Sequence, residues 1–189
     1  MGARRFLKDE MGSITVEAVI IFPILAWVFL GVWVFFDAYR AKSINIKAAY
    51  TIGDILSRED GDSITPAYLD GLFALQAQLN QTDQPRRLRI TAFLYDAGAD
   101  RYDVRWSRSR GGEAELTDDA LNATRDRLPV MPGGSWAVLT ETWVGYRPAF
   151  AVGIDPFVYE DFAVTDLRFA PKLCWNSADV GNPPGTEVC

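Results

Sequence analysis

The stretch GSITVEAVIIFPILAWVFLGVWVFFD, from Gly12 to Asp37, holds an uncharged apolar run from Ala18 to Phe36. As a helix rising 1.5 Å per residue, these ~19 residues span roughly 28 Å, close to the hydrocarbon thickness of a bilayer. The run reads as one membrane pass. At its lip stands Glu17, five residues after Gly12. A membrane helix ordinarily avoids an acid there, because a carboxylate taken out of water needs a cation beside it. Whatever the rest of the chain folds into must carry this helix.

The chain has 189 residues, enough for one membrane helix and one further domain of about 130 residues. Apolar residues make up 49% and aromatic residues 13%, so a packed core is feasible and general disorder is not expected. The net charge of -6 and a pI of about 4.7 argue against non-specific nucleic-acid binding, which needs a basic surface. There is no histidine, which removes imidazole catalysis and the usual zinc ligand sets. No metal or cofactor site is expected. Cys174 and Cys189 are too few for a structural zinc site and suit one disulfide in an oxidising compartment; the alternative is two free thiols.

Gly12, four residues and then Glu17, at the mouth of an apolar helix, resembles the type IV prepilin processing site. The wording VEAVIIFPIL, followed by Gly31 and Asp37, resembles the VEFALVLPLLL-type opening of TadE- and TadG-like proteins, minor pilins or pseudopilins of the tight-adherence pilus system. The resemblance covers about Gly12 to Asp37 and is weak beyond; the family often has Phe where Ala18 stands. It implies that prepilin peptidase cuts between Gly12 and Ser13, and that Glu17 pairs with the α-amine of a neighbouring subunit as apolar helices bundle. It also implies a non-enzymatic role in pilus assembly or priming. The partners would be the membrane, the peptidase, other pilin-like subunits and the assembly machinery. The place would be the inner, cytoplasmic membrane, with the C-terminal domain extracytoplasmic, or the pilus itself. A conventional signal peptide cut near Ala41-Lys42-Ser43 fits less well, since its apolar core would be shorter.

Residues 1–12 read as a charged cytoplasmic leader, with Arg4, Arg5 and Lys8 ahead of Asp9 and Glu10. Basic residues on the far flank, Arg40, Lys42 and Lys47, leave the positive-inside rule undecided. Pro23 cannot donate to the carbonyl of Val19, which predicts a modest kink. Trp27 and Trp33 read as lipid- or partner-facing packing. Beyond Asp37, Tyr39, Ile44, Ala48, Ile52 and Ile55 recur at helical spacing, so the helix is expected to run on to about Leu56, over 13–57, amphipathic in its outer half. After a polar linker, Arg58 to Ser63, Thr65-Pro66 caps a second helix burying Leu69, Leu72, Phe73, Leu75 and Leu79.

From Leu88 the period becomes two. Leu88, Ile90, Ala92 and Leu94, a turn over Asp96 to Asp100, and Tyr102, Val104 and Trp106 predict a hairpin. Its arginines would share a solvated polar face. Thr117 to Leu128 reads as a short helix with Ala120, Leu121 and Leu128 inside. Trp136 to Tyr146 and Phe162 to Phe169 read as two more strands, the last with a bulge near Thr165 or a misplaced boundary. The expected fold is α+β: a long N-terminal helix packed on an antiparallel sheet of about four strands with two short helices, pilin-like, in an extracytoplasmic domain over 58–189. The tail from Cys174 to Cys189, rich in Gly and Pro, is expected to pack no core and to depend on its disulfide.

Acidic pairs such as Asp118-Asp119, Asp60 with Asp62, and Glu160-Asp161 lack calcium-loop spacing and read as surface acids. The rival to the pilin-like reading is a signal-anchored envelope protein, never processed, whose domain binds a partner.

Overall fold

The computed structural model describes residues 11–60, 63–178 and 187–189. The fold is α+β. In chain order it comprises α1 (Met11–Ser57), α2 (Pro66–Asn80), β1 (Arg86–Asp96), β2 (Arg101–Arg110), α3 (Asp118–Ala123) with a 3-10 turn at Arg125–Arg127, β3 (Trp136–Tyr146), β4 (Phe157–Asp166), and a short pair, β5 (Trp175–Asn176) and β6 (Glu187–Val188). The four long strands form an antiparallel sheet in the order β2-β1-β3-β4. The chain divides into two compact units: the segment up to Arg40 with Pro148–Asp155, and Ala41–Arg147 with Pro156–Cys189.

In the larger unit, the outer part of α1 and all of α2 cover one face of the sheet. Ile52 and Leu56 of α1 and Leu69 and Leu72 of α2 meet Leu88, Ile90, Ala92, Trp106 and Val138 in one buried cluster. Of the stripe expected on α1, Ala48 and Ile52 are buried, Ile44 and Ile55 are half-buried and Tyr39 is exposed; Asn45, Ala49, Gly53, Leu56 and Ser57 are buried beside them. Helix α2 starts where its cap requires, with Thr65 Oγ1 accepting from Tyr68 N at 3.2 Å and Pro66 as the first residue. It ends on Gln81 in the left-handed region, φ 48°. Gln76, on the buried side, donates to the backbone carbonyls of Arg87 (3.0 Å) and Trp143 (3.4 Å).

The opposite face is not the solvated one expected. Phe93, Tyr102, Leu121, Met131, Ala137 and Leu139 form a second buried cluster there. Beside it Arg89 makes a two-pronged contact with Glu141 across the β1–β3 pair, at 2.6 and 2.7 Å, and donates to Ala114 O at 2.8 Å. Trp143 lies against both Arg87 and Arg89, 5.3 Å from ring centre to each guanidinium. Strand β2 contributes to both clusters because it changes phase. Ala92 pairs with Trp106 but Phe93 with Val104, so Arg105 is an extra residue, a β-bulge. Trp106 therefore joins the helix-covered cluster, while Tyr102 and Val104 point to the other.

The bulge expected in β4 is absent: its register against β3 is continuous from Phe157 to Asp166. The strand begins right after Pro156 and ends at Asp166, so Leu167 and Phe169 lie beyond it. The expected helix over Thr117 to Leu128 is likewise shorter. Thr117 caps it, but the chain leaves helical geometry at Thr124 (φ -107°, ψ 22°), and Ala120 faces outward.

The tail enters the core rather than hanging from it. Leu173 and Trp175 are buried in the first cluster, and Trp106 Nε1 donates to Leu173 O at 2.7 Å. Ile64 N donates to Cys174 O at 2.8 Å and Asn176 N to Ile64 O at 2.9 Å. Cys174 and Cys189 Sγ atoms lie 2.06 Å apart, at bonding distance.

Candidate functional site

The smaller unit carries the inner part of α1. Over Ile14–Ser57, α1 is long and apolar enough to cross a membrane. Only 6% of its most apolar stretch is buried. Ile14, Phe22, Phe29 and Phe36 are each about 70% exposed, at 73, 73, 69 and 70%, and Trp27 and Phe35 are also open to the surroundings. In water such a surface would be far larger than a monomer tolerates. A bilayer or other apolar helices are the surroundings it fits.

Glu17 sits on this helix, exposed, and among the described residues no side chain pairs with it. Pro23 lies inside the helix, which continues through it. The expected leader over 1–12 and the cut between Gly12 and Ser13 lie outside the described residues, except that the backbone of Met11–Ser13 is helical. Val34 and Ala38 are buried, and on the same stretch Trp33 meets Phe150 of the β3–β4 connection edge to face, ring centres 5.7 Å apart.

In the larger unit, α1 is fixed to the sheet by a small polar seat. Asp161 of β4 is 9% exposed and accepts from Asn45 Nδ2 at 2.9 Å and Lys42 Nζ at 3.1 Å. Asn45 Nδ2 also reaches Thr142 O at 3.3 Å, and Lys42 lies 5.5 Å from the Tyr159 ring centre. Asp161 is thus a buried partner of the helix and not the surface acid expected of Glu160-Asp161. About two turns beyond Asn45, Gly53 lets the helix approach: a Cβ there would stand 2.6 Å from Thr165 Oγ1 and 3.5 Å from Thr140 Oγ1. The C-terminus of α1 is tied as well, with Arg168 N donating to Ser57 O at 2.9 Å and Arg168 Nη2 3.3 Å from Asp54.

Neither Asn45 nor Gly53 was singled out from sequence. The available signal was the spacing of Asn45, Ala49, Ile52 and Leu56, which puts one amide on an otherwise apolar stripe.

Elsewhere among the described residues, several polar groups are paired with one another. A cavity of about 130 Å³ is walled by Arg89, Glu141, Arg127, Glu160, Leu139 and Phe162. Its charged groups are paired with one another, Arg127 with Glu160 at 4.0 Å. Cys174, Glu187 and Cys189 come within 4.8 Å of one another, but the bonding distance between the sulfurs fits a disulfide and not a metal ligand set. Asp118 accepts from Val104 N at 2.7 Å, and Asn122 bridges the backbone N and O of Tyr102 at 2.9 and 2.7 Å. Burial, and then the hydrogen bond it donates to Glu59, push the Tyr68 phenol above its ordinary range. At the β1–β2 turn, hydrogen bonds from Arg125 and from Tyr95 hold the Asp100 carboxyl below its ordinary range.

Compared with family models, with curated proteins and with solved structures, the chain finds no match in any of the three.

Proposed function

We propose that the chain is a non-enzymatic, pilin-like subunit that takes part in assembling or priming a tight-adherence pilus, through lateral contacts of its N-terminal helix. The observation that carries this reading is Glu17, five residues after Gly12 and at the head of the apolar run from Ala18 to Phe36. In support, that run lies on one uninterrupted helix whose apolar surface is exposed, and Glu17 has no partner among the described residues. The same helix continues into an α+β domain that holds it by Asp161 and Gly53. In this reading prepilin peptidase removes residues 1–12, Ser13 carries the new α-amine, and the protein works from the inner membrane with its domain outside the cytoplasm.

The carboxylate of Glu17 at an apolar boundary costs free energy until a cation meets it, and the α-amine of a neighbouring processed subunit is such a cation. Glu17→Ala therefore leaves membrane insertion and the protease resistance of the domain unchanged, and reduces co-purification with other pilin-like subunits from cells that make the pilus. Wild-type co-purification and pilus assembly by Glu17→Ala would remove the pairing role and leave Glu17 at most a feature of the processing site.

A further inference from the structure

We propose that the β3–β4 connection, Pro148–Asp155, is a second membrane contact of this protein, a loop that dips its apolar side chains into the lipid beside the outer end of the helix. The proposal rests on the reading that α1 crosses a bilayer, and goes beyond it by giving the extracytoplasmic domain its own hold on lipid.

The first observation is compositional. The connection reads PAFAVGID, without a charge from Pro148 to Ile154, and is bracketed by Arg147 and Asp155. Antiparallel neighbours are ordinarily joined by about 2–5 residues, and the surplus in such a connection is normally polar. This one is long and apolar. Inside it Val152 N donates to Phe150 O at 3.1 Å, and Gly153 takes φ +93°, a left-handed conformation that glycine adopts without strain. The loop is folded back on itself.

The second observation is where it belongs. Its flanking strands are part of the larger unit, but Pro148–Asp155 clusters with the apolar half of α1. Phe150 meets Trp33, a residue inside the apolar run and within one turn of its end at Phe36. The contact does not cover either ring. Phe150 remains 45% exposed and Trp33 44%, next to exposed Phe35 and Phe36.

The third observation identifies the occupant. Through the Trp33–Phe150 contact the apolar surface of the loop joins the outer end of a helix face that a bilayer would cover, and in sequence each of the two apolar stretches gives way to charge, at Asp37 and Arg40 after the run and at Arg147 and Asp155 around the loop. Aromatic rings bordered by charged groups are the composition found at the boundary between acyl chains and headgroups. Lipid at that boundary covers the exposed edges of Trp33 and Phe150 together.

The test uses the full chain reconstituted in vesicles of phosphatidylethanolamine and phosphatidylglycerol. Single substitutions Ala149→Cys and Ala151→Cys leave Phe150 in place and carry an environment-sensitive fluorophore, attached without reductant so that Cys174 and Cys189 are undisturbed. Ala26→Cys in the apolar run and Ala97→Cys in the exposed β1–β2 turn serve as references. Quenching by spin-labelled lipid and by aqueous iodide is then measured. The expected result is lipid quenching at 149 and 151 several-fold above that at 97, with emission shifted to the blue. If 26 is quenched by lipid while 149 and 151 respond to iodide like 97, the loop stands in water and the proposal is overturned. If 149 and 151 are shielded from both quenchers, protein covers the loop, a second copy of the chain in such vesicles, and the lipid assignment is equally overturned. Loss of lipid quenching at 26 would refute the membrane pass itself, and the loop contact with it.

Discussion

Gly53 stands where the helix comes nearest the sheet, with room for a hydrogen and not for a methyl group beside Thr165. Helix propensity alone favours Ala there by about 1 kcal/mol, so the presence of glycine in mid-helix is a packing statement. Gly53→Val is expected to destabilise the domain by about 1–3 kcal/mol, as overpacking does. Thr165→Ala in the same chain restores part of that loss, read from denaturant unfolding as a double-mutant cycle. Asp161 is the other residue on which the seat depends. Asp161→Ala leaves the buried amide of Asn45 with only its longer bond to Thr142 O and is expected to cost about 1–3 kcal/mol, while Lys42→Ala costs less because Lys42 is 44% exposed. A third residue gives a pH dependence. Tyr68 titrates above its ordinary value of about 10 because it is buried and bonded to Glu59. Its contribution is complete below the unfolded pKa and is lost as pH rises through the folded one. The unfolding midpoint should therefore fall as pH is raised beyond about 10, and fall less in Tyr68→Phe.

The elements divide into those whose pattern is local and those set by tertiary contacts. The course of α1 past the membrane run, the Thr65-Pro66 start of α2 and the extent of β3 were legible in the sequence, because periodicity and capping are written in adjacent residues. The two-sided burial of the sheet was not. Arg89 sits at an alternating polar position, and only the β1–β3 register, which sets Glu141 opposite it, makes it a buried partner. The bulge at Arg105 was equally hidden, since Tyr102, Val104 and Trp106 alternate without a break and nothing local marks the extra residue. The limits of β4 were missed for the opposite reason: Phe157 and Val158 are exposed, so the strand opens without the alternation that announces one. The buried pair makes a sharp prediction. Glu141→Gln or Arg89→Met strands its partner and is expected to cost about 3–5 kcal/mol, whereas replacing both by apolar residues of similar volume costs much less. Thermal unfolding of the three variants separates these outcomes.

At the scale of the whole molecule, one helix carries two environments. Its inner part leaves most of its apolar side chains exposed, and its outer part offers one stripe to a sheet. Leu173 and Trp175 belong to the second of these, so the Cys174–Cys189 link starts from a stretch the core already holds. Reduction is accordingly expected to lower the stability by about 3 kcal/mol on the loop-closure account, without unfolding the sheet; unfolding followed by far-ultraviolet circular dichroism with and without reductant checks this. The proposed role depends on what happens at the other end of the chain. The direct measurement is the intact mass and N-terminal sequence of the protein recovered from membranes of cells that contain prepilin peptidase, beside the same protein carrying Gly12→Leu. The pilin-like account predicts a chain that starts at Ser13, and a Gly12→Leu chain that keeps its leader. A wild-type chain starting at Met1 or Gly2 would contradict processing and leave a permanent anchor, and a start near Ile44 would contradict the membrane helix as well.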